Sequence, residues 1–461
     1  MKNFVDVDEK LPILETIPLS LQHLFAMFGA TILVPILFGV DPAVALLMNG
    51  IGTLIYSFIT KGKIPAYLGS SFAFLAPVFL IMKSYGGFSH AQFGFIIFGI
   101  FFVLISFIIR FVGIKWIDVI MPPPVMGAVV AIIGLELAPN AAQQAGFIPY
   151  ASDFSGAIGN LITQASAKTI DSTALAAAST SLSKLVNFVP DAKVLTVSIF
   201  TLMVGIIGSV VFRKFFKIIP ILTSIVCGYI LALCMGMVNF DKVIEAHFLR
   251  LPTFSAPVYD SRVILIILPA CLVVLAEHVS HLIVTGNITN RDMIKDPGLH
   301  LSLLGDGVSN ILSGFVGSPP NTTYGENIGV MAITKVYSVW VIRGAAILAI
   351  IFSVIGPISA FITTIPNPVM GGVTLLLYGT IAASGLRMLV ESKVDFSKSY
   401  NMVLAAITFV IGVSGAKITI GTVELKGMAF AAFVGVALSI LFYVLSKLGL
   451  MNEPYKLRGE E

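Results

Sequence analysis

Eight ionisable residues lie inside or at the edges of apolar stretches: His23, Glu136, Glu277, His278, His281, Asp306, Glu326 and Arg343. Such groups are costly in hydrocarbon unless paired or hydrated, so each is a functional candidate. Glu277 and His281 are spaced i, i+4 and share one helical face. His278 points about 100° away from Glu277. A local buried pair that only stabilises would account for Glu277 and His281, yet LVVLAEHVSHLIV has no other need for charge. A hydrogen bond to a neighbouring helix would account for His278. Glu326 follows Gly325 in NTTYGENIGVMAITK (321–335), so a backbone N–H can face the same cavity as its carboxylate. In a second interrupted stretch, YLGSSFAF (67–74), Ser70, Ser71 and Phe72 sit on a β-leaning segment. Two carboxylate acceptors, free N–H donors and an aromatic face suit a flat, neutral ring with alternating C=O and N–H groups. Phe72 taken alone could equally pack a core. Asp306, in GDGVSN, reads as structural or helix-contacting. Glu136 and Arg343 lie near span ends, where snorkelling or capping is the default.

These groups must be held at membrane depth. The 461 residues are 57% hydrophobic and 11% charged, against about 25% charged in an ordinary soluble chain. Repeated apolar stretches near the ~20 residues of a bilayer-crossing helix make the chain an all-α polytopic membrane protein. The net charge of +4 reflects basic residues between spans, not affinity for nucleic acid. Spans are expected near 18–40, 43–60, 64–84, 91–113, 117–138, 190–212 and 216–238. A second set is expected near 262–288, 298–316, 320–336, 338–362, 366–386, 399–415 and 425–447, about fourteen in all. The third and tenth are interrupted by Gly, Pro or Ser. Lys61, Lys63, Arg110, Lys115, Arg213, Lys214, Lys217, Arg291, Lys295, Lys335, Arg387, Lys393 and Lys398 fall in alternate turns, which puts those turns and both termini in the cytoplasm. The long connection 139–190 then lies outside, and its Ala/Ser/Thr-rich middle reads as a flexible or loosely helical insertion. The opening MKNFVDVDEK does not resemble a cleavable signal peptide. Cys227, Cys234 and Cys271 lack metal-site spacing and read as packing residues.

The two halves echo each other. Asp41, Pro42, Gly50 and Gly52 recur as Asp296, Pro297, Gly305 and Gly307, and Gln22-His23 recurs as Glu277-His278. PPVMGAV (123–129) recurs as NPVMGGV (367–373). Seven spans, an odd number, separate equivalents, so the second half runs through the membrane the opposite way. Inverted repeats with paired broken spans mark secondary transporters, with the site between the breaks. No GxSxG, HExxH, Walker or CxxC pattern suggests an enzyme. A channel needs a continuous pore, whereas paired broken spans favour alternating access.

ENIGVMAITK (326–335) resembles the signature of the nucleobase–ascorbate transporter family, also called nucleobase:cation symporter-2. QHLFAMFGATILVP (22–35), KIPAYLGSSFAF (63–74), AEHVSHLIV (276–284) and NTTYGENIG (321–329) are similar to its bacterial uracil carriers, and the likeness covers nearly the whole chain. Relatives that carry xanthine or urate usually have Gln where Glu326 stands.

The resemblance implies two inverted 7-span repeats divided into a core and a gate domain. The core is 18–113 and 239–362, with spans 1–4 and 8–11. The gate is 114–238, including the insertion 139–190, and 363–448. The tails 1–17 and 449–461 are cytoplasmic. Spans 3 and 10 each hold a short antiparallel strand. By the same resemblance Glu277 and Glu326 accept hydrogen bonds from a uracil ring, and backbone N–H groups of Phe72 and Gly325 donate to its carbonyls. Ala30, Tyr324 and Tyr378 line the site. His281, with Glu277 and Glu326, is implied in proton coupling. No cofactor is implied beyond the proton as coupling ion. The partners implied are uracil, protons, membrane lipid and a second copy in a homodimer, with the protein in the bacterial cytoplasmic membrane. A purine permease of the same fold remains the nearest alternative, and an anion channel or facilitator a more distant one. The likeness is weakest in 139–190.

Overall fold

The computed structural model describes residues 4–113, 115–149, 188–213, 216–217, 219–421 and 423–453, with five further residues between 175 and 183. Helix α1 (Ile13–Phe38) stops at Gly39, whose φ of 68° makes a left-handed cap. Helix α2 (Pro42–Ile59) starts at once, because Asp41 accepts the Ala43 N–H and Pro42 fills the first helical position. The third span is broken. Strand β1 (Leu68–Ser70) leads through a tight turn at Phe72–Phe74 into α3 (Leu75–Ser84). Helix α4 (Phe88–Val112) follows.

The fifth span was expected at 117–138. It divides into α5 (Lys115–Ile120) and α6 (Pro123–Gln144), because Pro122 to Pro124 end one helix and start the next. Helix α6 therefore runs into the region expected as outer loop, most of which lies outside the described residues. Next come α7 (Ala192–Val211), α8 (Pro220–Cys234) and the one-turn α9 (Asp241–Ile244).

In the second half α10 (Arg262–Thr289) and α11 (Leu299–Val316) lead to strand β2 (Asn321–Thr323) and the short α12 (Gly325–Thr334). The stretch expected as one span at 338–362 divides into α13 (Val339–Ser353) and α14 (Gly356–Thr363). Helices α15 (Asn367–Glu391) and α16 (Ser399–Val413) are followed by a hairpin, β3 (Lys417–Ile420) and β4 (Val423–Lys426), that leads into α17 (Gly427–Lys447). The chain is thus mainly helical. Among the described residues eight helices are long and apolar enough to cross a membrane. Helix α11 is not among them, because Ser302, Asp306, Ser309, Asn310 and Ser313 form a fully buried polar face on it.

The two breaks meet. Strands β1 and β2 pair antiparallel, with Leu68 opposite Thr323, Gly69 opposite Thr322 and Ser70 opposite Asn321. Backbone that leaves the helix at membrane depth must find partners inside the protein, and each strand supplies them for the other. Around this crossing α4 packs on α11, α2 on α13 and α11, and α1 on α13. Elsewhere α15 packs on α6 and α7, and α16 on α6 and α17.

Candidate functional site

Helix α11 anchors β2. The Thr322 hydroxyl donates to Asp306 Oδ2 at 2.8 Å. Asn310 Nδ2 donates to Asp306 Oδ1 at 2.8 Å and to the Asn321 carbonyl at 2.7 Å, while its Oδ1 accepts the Asn321 N–H at 2.8 Å. Helix α2 anchors β1, where the Leu68 N–H donates to Thr53 Oγ1 at 2.9 Å. The Ser71 N–H donates to the Pro320 carbonyl at 2.9 Å, which fixes the point where β1 turns toward Phe72. These bonds satisfy the irregular backbone and hold both strands rigidly.

Helix α10 crosses beside β2. His278 Nδ1 lies 2.9 Å from Asp306 Oδ2, with both side chains fully buried. Its Nε2 lies 2.7 Å from Ser302 Oγ, which is 2.6 Å from Tyr56 OH. His278 therefore has the neighbouring-helix partner expected of it, and Asp306 is the hub of a buried polar network. One turn along α10, His281 Nδ1 lies 3.2 Å from Thr323 Oγ1. A Cβ at Gly325 would stand 3.1 Å from His281 Nε2, so the imidazole abuts the start of α12.

Gly325 opens α12 and Glu326 sits in its first turn. The first N–H groups of a helix have no intrahelical partner and carry partial positive charge, so this end offers donors beside a carboxylate. Glu277, Glu326 and Tyr324 lie within electrostatic reach of one another, and Asp306 within reach of Glu277. Glu326 is exposed, and Gly329 one turn on has open space at its α-carbon. Glu277 and His281 are half-buried. The carboxylates therefore border an open volume rather than packed protein.

Phe72 packs both against the main core and against the cluster of Leu24, Met27, Tyr67 and Tyr324. It fills a core and flanks the crossing at once. Tyr324 is the residue before Gly325. Its ring lies over Gly69, where a Cβ would stand 2.8 Å from Cε2. Tyr378 is buried on α15, in the other helix group, and the next residue, Gly379, faces open space. Ala30 lies on α1, with its side chain outside the described residues. Among the described residues the Ser70, Ser71, Tyr324 and Tyr378 hydroxyls are buried without a hydrogen-bond partner, leaving polar atoms to receive a ligand or water.

Two further candidates have other duties. The Glu136 carboxylate accepts the Met428 N–H at 2.8 Å and caps α17. Arg343 donates to Ser57 Oγ at 2.8 Å and stacks 4.7 Å over Trp340. Residue types alone carry no signal for Thr323, which faces both histidines. Among the described residues no group of three or more His, Cys, Asp or Glu comes together as a metal site.

A family model described as a permease family matches residues 14–170 and 155–421. A uracil permease of Escherichia coli K12 is 53% identical over 444 residues, covering 96% of this chain and 95% of that protein. A uracil permease of Paenibacillus larvae is 52% identical over 97% of this chain and 99% of its own length. The uracil permease of Bacillus subtilis is 43% identical over 92% and 91%. Among solved structures, the transmembrane domain of the cyanobacterial bicarbonate transporter BicA superposes with a TM-score of 0.57 at 14% identity, covering 96% of this chain and 99% of that one. SLC26A9 superposes with a TM-score of 0.65 at 13% identity, covering 94% and 65%. At such identities these two speak for the fold alone.

Proposed function

The chain belongs to the permease family, a family of transporters rather than enzymes, and from that membership we propose that it imports uracil together with protons across the bacterial cytoplasmic membrane. The observation that carries the reading is the convergence of Glu277, Glu326 and the opening turn of α12 on the β1–β2 crossing. Carboxylates accept from the ring N–H groups, and the Phe72 and Gly325 N–H groups donate to its carbonyls. Phe72, Tyr324, Ala30 and Tyr378 supply walls. The near-full-length relatives of Escherichia coli and Paenibacillus larvae are uracil permeases, which supports the choice of base.

Uracil is neutral, so membrane voltage alone cannot concentrate it. Each proton charge carried inward gains about 2.3 kcal/mol per 100 mV. Glu277, Glu326 and His281 form the titrating set, which takes a proton from outside and releases it inside with the base. The core, 18–113 and 239–362, moves against the gate, 114–238 and 363–448. The packing of α1 on α2 and α13, of α2 on α11 and α13 and of α4 on α11, and separately of α15 on α6 and α7, supports that division. Both termini are cytoplasmic and the protein pairs as a homodimer through its gate. Equilibrium binding of labelled uracil to the purified protein tests the site. Glu277→Gln and Glu326→Gln should each weaken binding, and binding unchanged in both would remove the carboxylates from the site.

A further inference from the structure

Residues 4–10, ahead of α1, are built into the fold. The Val5 N–H donates to the Lys335 carbonyl, the Tyr337 N–H to the Val5 carbonyl and the Val339 N–H to the Val7 carbonyl, each at 2.9 Å. Val7 is fully buried. Ser338 Oγ donates to the Glu9 carbonyl at 2.5 Å, and the Lys10 ammonium lies 4.1 Å over the Trp340 ring. The alternate residues Asp6 and Asp8 both turn to Arg291, at 3.0 and 2.9 Å. Residues 4–10 are thus laid against the connection between α12 and α13, joined to it by a parallel bridge between Val5 and Val336, and pinned by a forked ion pair to the end of α10.

The two helices gripped this way carry the candidate site. Helix α10 ends at Asn290 (φ 53°), next to Arg291, and α12 ends at Lys335 (φ 57°). Both caps are left-handed, a conformation that costs a residue with a side chain about 1–2 kcal/mol and persists where surrounding contacts hold it. The clasp supplies such contacts, since the Lys335 carbonyl is the acceptor for Val5. Glu277 lies 12 helical residues from Thr289, about 18 Å, and Glu326 lies 8 from Thr334, about 12 Å. Helix α12 has only ten residues, too few to be stable alone, and Glu326, Gly329, Ala332 and Ile333 leave one side of it exposed. It is secured at its start by β2 and at its end by residues 5–9.

We propose that residues 4–10 form a clasp, and that Arg291 is its positioning residue, fixing the separation of Glu277 from Glu326 by tying together the far ends of α10 and α12. The proposal rests on the reading of those two carboxylates as the uracil-binding pair. A cleft of about 490 Å³ lined by Asp8, Lys63, Arg291, Asp292, Lys295 and Asp296 lies beside the ion pair and admits water and salt to it. The clasp is therefore sensitive to ionic strength, which a purely packed tail would not be.

The test uses the full chain in proteoliposomes, comparing wild type with Asp6→Asn/Asp8→Asn, Arg291→Gln, Arg291→Lys and a deletion of residues 2–9. The double Asn variant, Arg291→Gln and the deletion should raise the half-saturating uracil concentration about fivefold, with the maximal rate held within about twofold. Arg291→Lys should stay near wild type. High salt should weaken wild-type affinity toward that of the deletion and leave the deletion unmoved. Hydrogen exchange of residues 328–335 should quicken in the three disrupted forms. Unchanged half-saturation in Arg291→Gln and the double Asn variant, or an effect confined to maximal rate, overturns the clasp. Should the deletion fail to insert, those two variants keep the N-terminus and still decide the matter. If wild type takes up no uracil, the transport reading fails instead, and the exchange of 328–335 judges the clasp alone: quickened exchange supports it and unchanged exchange ends it.

Discussion

The His281 imidazole is held against the bend that joins β2 to α12, with Nδ1 3.2 Å from Thr323 Oγ1 on the strand. A proton on this ring is thus placed beside the hinge of the broken span and one turn from Glu277. His281→Ala should leave uracil binding within about threefold and make uptake largely independent of the proton gradient. Loss of binding together with intact gradient dependence in the residual uptake would reverse the assigned role.

Glu326→Gln keeps the shape and removes the charge. A hydrogen bond to a charged group is worth about 1.5–3 kcal/mol, so uracil affinity should fall tenfold or more. Xanthine should begin to compete, since the family resemblance implies that relatives carrying xanthine or urate usually have Gln at this position. Competition assays on the variant check both points, and uracil kinetics equal to wild type would place Glu326 outside the site.

Gly69 and Gly325 are both close-approach glycines, but what crowds them differs. A Cβ at Gly69 meets the Tyr324 ring at 2.5 Å, and one at Gly325 meets the edge of His281 at 3.1 Å. Gly69→Ala must displace an aromatic side chain in a packed cluster, whereas Gly325→Ala asks for a few tenths of an ångström. Gly69→Ala should therefore cost more thermal stability and more uracil affinity than Gly325→Ala. Melting and binding measured side by side on the two variants check the order, and the reverse order would refute it.

Asp306 serves His278, Thr322 and Asn310 together. Asp306→Asn leaves one of these groups without its acceptor in a buried setting. About 3 kcal/mol of stability should be lost, with uracil binding weakened because β2 loses its anchor. A melting temperature within a degree or two of wild type would show that the network matters less than its geometry implies.

Asp41 lies between α1 and α2, away from the crossing. Burial alone would raise its pKa, but hydrogen bonds from Ser359 and the Ala43 and Thr253 N–H groups, with the Arg250 charge, outweigh burial and hold it below its usual 3.8. A carboxyl depressed on folding contributes stability that is present above the unfolded pKa and lost as pH falls through the lower folded value. Acid unfolding should therefore steepen below pH 3.8, and Asp41→Asn should flatten that limb while lowering stability at neutral pH. Parallel acid limbs in the two proteins would exclude Asp41 as a source of the dependence.

Much of this arrangement can be read from residue types. Glu277, His281 and Glu326 stand out because charge in an apolar run demands a reason, and the Gly, Ser and Pro breaks at 67–74 and 319–325 mark where helix must give way. Their pairing follows from the need to satisfy freed backbone groups. The register does not, because it is set by Thr53, Asn310 and Thr322, whose partners are distant in sequence. The His278–Asp306 contact joins residues 28 positions apart on two helices; a helix contact is expected of each, but nothing in GDGVSN names the other as its partner. The splitting of two expected spans was hidden for a different reason. Apolar composition continues across Pro122–Pro124 and Ile355–Pro357, so hydropathy sees one segment where backbone chemistry makes two. The role of residues 4–10 was illegible because a short mixed-charge tail looks the same whether solvated or docked.

The first measurement is uptake of labelled uracil into proteoliposomes under an inward proton gradient, with and without a protonophore, and with excess xanthine. Gradient-driven accumulation abolished by the protonophore and untouched by xanthine is the result expected of a uracil–proton symporter. Uptake that only equilibrates and ignores the protonophore would mean that no proton is coupled, and the placement of His281 beside Glu277 and Glu326 would need another explanation.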